Sequence, residues 1–254
     1  MAFYDLNKEQ RQQLVVEINN NILADIQQNS HRSLTHYFAD DDTYIRKTAY
    51  LAIGKVWKTD PNLRPNIILL LQLRLQSEHE KVRQTVVNAA GEIGIMEFEI
   101  VEPIFNTALF DQHPIVINAV IGSIKKMGEK NPIPVLEWAK QYLHHPDKEV
   151  RRAICHGIEL RGRTHPQDIL PLLKVLQFDK TARVRNTLIH VLGQIAYKKG
   201  CLETVVEHLK SWDNQALVGK ALNEIVDVHY RYENFAVLSP QQAQDYIDQH
   251  FSSQ

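Results

Sequence analysis

Val82, Val116, Val150, Val184 and Val218 recur at a fixed interval of 34 residues. A period of that size commits a chain to a repeat architecture, in which each copy is one supersecondary unit. Four positions after each valine stand Val86, Val120, Ile154, Leu188 and Leu222, and eight after stand Ala90, Ile124, Ile158, Leu192 and Val226. Ile93, Met127 and Ile195 continue the series at offset eleven. Such offsets trace one face of an α-helix, so every copy is expected to carry a helix with a buried apolar stripe. An earlier copy runs through Ile45, Ala49, Ile53 and Val56 and precedes Val82 by 37 residues. Gly94, Gly128 and Gly162, twelve positions after their valines, are expected to end their helices in the left-handed conformation.

A second apolar segment lies between consecutive stripes: Ile100 to Phe110, Val135 to Leu143, Ile169 to Leu176, and Leu202 to Leu209. Pro103, Pro132, Pro134, Pro166 and Pro171 sit at or near the starts of these segments, where a missing amide donor costs little. Each unit therefore reads as a helical hairpin. A single hairpin cannot bury both faces, so the hairpins must stack on a continuous core. Residues 1–32, with Leu14, Val15, Ile18, Ile22 and Ile26 on one face of a helix over 8–28, read as an N-terminal cap. Residues 33–230 read as the repeats, and 231–254, with Ser239-Pro240 opening a helix, as the C-terminal cap of one domain spanning 1–254.

Composition agrees with helices. Ten glycines and ten prolines among 254 residues supply too few turn residues for a barrel or sandwich of many short strands. Lys plus Arg number 29 against 30 for Asp plus Glu, so no global field draws in nucleic acid or anionic lipid. Cys155 and Cys201 stand far apart in apolar helical patterns, unlike a zinc motif or a disulfide scaffold, which fits a reducing cytoplasm. No apolar run is long enough to cross a membrane, and no export signal opens the chain.

Tetratricopeptide repeats share the period, but their Trp, Leu-Gly, Tyr and Ala-Phe-Pro positions are not met. The pattern here is a polar or acidic turn followed by Val-Arg, as in Glu80-Lys81-Val82-Arg83, Asp147-Lys148-Glu149-Val150-Arg151, and Asp179 ahead of Val184-Arg185. It resembles HEAT-like repeats. The expected fold is an all-α, right-handed α-solenoid of about six HEAT-like hairpins with capping helices at both ends. Arg46, Arg83, Arg151 and Arg185 then read as a scaffold ladder that pairs with turn carboxylates and keeps neighbouring repeats in register.

The face opposite the stripe carries Arg152, His156, Glu159 and Arg163 in one repeat and Asn186, His190, Gln194 and Tyr197 in the next. Lys220, Glu224, Asp227 and Arg231 follow in the third. Solenoids present such a face to partners along their concave surface, so the eight residues of the first two repeats form the candidate binding site. Lys125, Lys126, Lys198 and Lys199, near the ends of second helices, form a candidate basic rim, although cations there also complement helix C-termini. Ordinary helix packing places His156 and His190 roughly 10 Å apart, too far to share one metal ion. No phosphate loop, nucleophile elbow, paired-cysteine motif or His-Glu-x-x-His helix occurs, so no catalytic residue, metal or cofactor is assigned.

The stretch from Trp138 to Trp212 resembles more narrowly the bacterial alkylpurine DNA glycosylases built of HEAT-like repeats. The resemblance rests on His145-Pro146-Asp147 running into Val150-Arg151-Arg152, on Pro171-Leu172-Leu173, and on Val184-Arg185-Asn186 leading to Leu192, Ile195 and Ala196. It implies a groove for duplex DNA, with Arg152 and neighbouring cations toward the backbone. The chain departs from that pattern with His156-Gly157 in place of Glu-Gly and with Gln194 in place of an acid. The expected function is thus a monomeric, non-enzymatic scaffold whose concave face takes a protein, peptide or polyanionic partner. The alternative is a DNA-binding protein of alkylation repair, acting as a glycosylase on alkylated bases.

Overall fold

A computed structural model describes residues 3–251, whose regular elements are all helices, with no strand among them. The described residues group into two compact units that divide after Asn131. The first holds α1 (Lys8–Gln28), α2 (Arg32–Ala39), α3 (Thr43–Thr59), α4 (Arg64–Leu75), α5 (Glu80–Gly94), α6 (Phe98–Ala108) and α7 (Pro114–Lys130). The second holds α8 (Pro132–Tyr142), α9 (Lys148–Gly157), α10 (Glu159–Gly162), α11 (Pro166–Lys174), α12 (Ala182–Ala196), α13 (Leu202–Leu209), α14 (Gln215–Arg231) and α15 (Pro240–Phe251). Both terminal caps are present: α1 packs on α2, α3 and α4, and α15 packs on α13 and α14.

In the first unit α3, α5 and α7 lie side by side, and in the second α9, α12 and α14 do the same. These are the helices that carry the valine period. Side chains from Val82 to Ile93, Val116 to Met127, Val150 to Ile158 and Val184 to Ile195 along the stripe are at most 2% exposed. Burial of a Val, Leu or Ile side chain contributes roughly 1.5–3 kcal/mol, so the stripe is the main source of cohesion within each stack. The last copy differs: Leu222 and Val226 are only half-buried, while Ala221, Ile225 and Val228 are fully buried. The buried arc of α14 is rotated by one position, because one of its neighbours is the capping helix α15, with Ala243 and Ile247 buried, rather than another repeat.

The glycines have a different role from the one their spacing suggests. Among the described residues only Asn29 (φ 50°) and Gly200 (φ 72°) have left-handed backbone, so Gly94, Gly128 and Gly162 do not turn the chain. A Cβ on Gly94 would lie 2.2 Å from Met127 Sδ, and one on Gly162 would lie 2.4 Å from Ile169 Cδ1 and 2.8 Å from Ile195 Cδ1. Gly94 and Gly162 are bare so that neighbouring side chains can approach the helix backbone. Pro103 and Pro171 also depart from expectation by lying inside α6 and α11. The carbonyls they leave without a helical partner belong to Glu99 and Gln167, both exposed residues within reach of water.

The arginine ladder reaches forward. Arg83 donates from Nε (2.6 Å) and Nη2 (3.0 Å) to Asp111, in the turn that opens α7 of the next hairpin, while its Nη1 donates to the Ser77 and Glu78 carbonyls. Arg151 makes the same connection to Asp179. Arg46 and Arg185 instead donate to carbonyls of the turns before their own helices, at Asp40, Asp41 and Asp179.

Candidate functional site

The face opposite the stripe in the second unit is built by α9, α10, α12 and the middle of α14. His156, His190 and Glu224 occupy one register in three successive repeats, 34 residues apart at each step. Because α9, α12 and α14 pack side by side, that register becomes a column of side chains. The imidazoles of His156 and His190 meet edge to face, with ring centres 5.9 Å apart, much closer than the roughly 10 Å expected from ordinary interhelical spacing. The ring of His190 reaches the other way to Glu224, with Nδ1 3.6 Å from Oε1. Burial holds the His190 imidazole below the ordinary histidine value, and the His156 ring adds to that, against the opposing pull of Glu159 and Glu224.

Glu159 lies beneath this column. The helix breaks at Ile158, so that Glu159 opens α10 and its side chain turns inward to 1% exposure. Burial of a carboxylate demands partners. Arg163 supplies them, donating from Nε (2.7 Å) and from Nη2 to Glu159 Oε1. The same Nη2 donates to Gln194 Oε1 at 2.9 Å, and the guanidinium lies 5.9 Å from the ring centre of Tyr197. Oε2 of Glu159 lies 3.4 Å from His156 Nε2. One ligand atom from each of His156, Glu159 and His190 falls within 4.8 Å of the others. Gln194 is 4% exposed, and its Nε2 has no hydrogen-bond partner.

The remaining candidate residues surround this centre. Arg152 donates to Glu149 Oε2 at 2.8 Å, and Arg183 reaches the other oxygen of Glu149 at 3.4 Å. Asn186 is exposed on α12. Tyr197, expected on an open face, is only 5% exposed: it stacks on Tyr232 at 5.3 Å and receives the Lys198 ammonium 4.3 Å from its ring centre. Arg231 pairs with Glu224. Lys199 is exposed beside Lys198. In the first unit Lys126 pairs with Glu92, and Lys125 is half-buried beside it. Trp57, Trp138 and Trp212 are buried, at most 2% exposed, and none belongs to this face. Both thiols are buried, and burial raises their pKa, so neither is a poised nucleophile.

Sequence reasoning placed these side chains on one face but missed the inward turn of Glu159. The available signal was Gly157 next to Ile158, a weak point in an otherwise strong helical pattern. It also left Glu224 outside the core of the site, although the 34-residue step from His190 leads directly to it.

Fold and face together define a helical-repeat protein built of stacked hairpins. Residues 136–223 match the family of HEAT repeats. The fold is similar to that of AlkD2 from Streptococcus mutans, at 18% sequence identity over 84% of this chain and 100% of that chain, with a TM-score of 0.57. It is similar also to smu.31 from Streptococcus mutans UA159, at 17% identity over 80% of this chain and 97% of that chain, with a TM-score of 0.54. No curated protein matches the chain. Among the described residues, no helix is long and apolar enough to cross a membrane.

Proposed function

We propose that this chain is a non-enzymatic, monomeric scaffold of the cytoplasm, and that the face of its second unit around Arg152, His156, Asn186 and His190 receives a segment of a protein partner. The observation that carries this reading is the pairing of the arginines on that face. Arg152 and Arg183 share Glu149, Arg163 holds Glu159, and Arg231 holds Glu224. A phosphate backbone binds by releasing counterions from many unpaired cations, and these guanidinium groups already have carboxylate partners. A mixed, hydrogen-bonding face with half-exposed imidazoles suits a peptide better.

The test is selection of a displayed random-peptide library against the protein in buffer containing a chelator, followed by titration of the winning peptides and of a fluorescent DNA duplex. Peptides are expected to bind and to lose at least about tenfold in affinity to a His156→Ala/Asn186→Ala/His190→Ala variant, about 1.4 kcal/mol or more. Duplex binding that is tighter than any peptide, steeply salt-dependent and weakened by Arg152→Ala would overturn the reading in favour of nucleic acid.

A further inference from the structure

The three groups gathered at the centre of the face have a chemistry of their own. His156 and Glu159 stand three residues apart across the α9–α10 break, and His190 comes from the neighbouring helix of the next repeat. A tetrahedral ion with bonds of roughly 2.0–2.2 Å holds its ligand atoms about 3.3–3.6 Å apart. His156 Nε2 and Glu159 Oε2 already stand at that spacing, 3.4 Å. The third ligand atom lies within 4.8 Å of both, a gap that a small rotation of the half-exposed His190 ring closes.

We propose that His156, Glu159 and His190 bind a divalent transition-metal ion of the zinc class. Two imidazoles and one carboxylate form a donor set that suits zinc or cobalt rather than magnesium or calcium, which prefer oxygen alone. Neighbouring groups orient two of the three ligands as outer partners of metal sites do. Arg163, itself held by Gln194 Oε1, fixes the Glu159 carboxylate through Oε1, and Oε2 stands toward His156. Glu224 Oε1, 3.6 Å from His190 Nδ1, is an acceptor on that side of the ring, and we assign Nε2 as the ligand atom. The side chains of His156 and His190 are 30% and 42% exposed, so a three-ligand ion here keeps an open coordination position toward solvent. This inference goes beyond the partner reading and stands without it.

The experiment measures Zn²⁺ binding by competition with a chromophoric chelator and the visible absorption of the Co²⁺-loaded protein. The full chain is compared with His156→Ala, His190→Ala and, as a control for other histidines, the loop variant His144→Ala/His145→Ala. The chain and the loop variant are expected to bind a single equivalent with equal affinity and to show intense tetrahedral cobalt bands. Each site variant is expected to lose more than about tenfold in affinity and to lose the bands. Thermal melts of the metal-free proteins confirm that these half-exposed substitutions leave the fold intact. Failure of the chain to bind, or binding that survives in the His156→Ala/His190→Ala double variant, overturns the proposal.

Discussion

Arg151 grips Asp179 through two parallel hydrogen bonds, Nε at 2.5 Å and Nη2 at 3.0 Å, and so ties the start of one repeat helix to the turn that opens the next. Their side chains are 13% and 4% exposed. Asp179 also accepts the Thr181 N–H at 2.8 Å, at the entrance to α12. Asp179→Ala would leave the Nε and Nη2 groups of a partly buried guanidinium, and one amide, without their acceptor. A loss of about 2–4 kcal/mol is expected, with Asp179→Asn losing less, as measured by urea denaturation.

The same pairs set an acid limit on stability. Burial alone would raise the Asp111 and Asp179 carboxyls. Hydrogen bonds from Arg83 and Arg151, together with the N–H groups of His113 and Thr181, outweigh burial and bring both below the usual carboxylate range. A carboxyl lowered in the folded state contributes stability above its unfolded pKa, about 3.9, and that contribution is lost as pH falls through the folded value. The melting temperature should therefore fall below about pH 4, and Asp111→Asn/Asp179→Asn should flatten that slope while lowering stability at neutral pH.

Two glycines in helices should respond to alanine with opposite signs. At Gly162 the added methyl would press on Ile169 and Ile195, and a loss of about 1–3 kcal/mol is expected. At Gly122, on the exposed side of α7, nothing lies within 4 Å of the new Cβ, and up to about 1 kcal/mol of helix propensity should be gained. Equilibrium unfolding of the two single variants checks both signs.

Glu159 and Arg163 form a unit whose halves depend on each other. Arg163→Met leaves a carboxylate that is 1% exposed without its cation, and a loss of roughly 3 kcal/mol is expected. Adding Glu159→Gln should restore much of it, because the uncompensated charge is then gone. A double-mutant cycle with a coupling below about 0.5 kcal/mol would contradict the pairing.

The period of 34 made the fold readable: five valines located the second helices, and the apolar segments between them located the first. Both caps were legible for the same reason, since α1 and α15 follow from the apolar positions within 8–28 and after Ser239-Pro240. What the pattern could not give was the side-chain geometry within the face. Periodicity assigns a residue to an arc of a helix, but Glu159 turned inward because the helix broke at Ile158, and Tyr197 was covered by Tyr232 from a repeat away. The approach of His156 to His190 likewise depended on side-chain reach rather than on the spacing of helix axes. The glycines misled for a related reason: their place near helix ends suggested backbone turning, whereas contact with Met127 and with Ile195 explains them.

The column formed by His156, His190 and Glu224 has a genetic consequence. Because its members repeat at the interval of the fold itself, an in-frame loss of 34 codons covering the middle repeat would set His156 directly beside Glu224, with the valine stripe still in phase. A duplication of the same segment would insert a second His190 between them. Unequal crossing-over can thus edit this surface one whole rung at a time and change the order of imidazole and carboxylate without a single point substitution in the core.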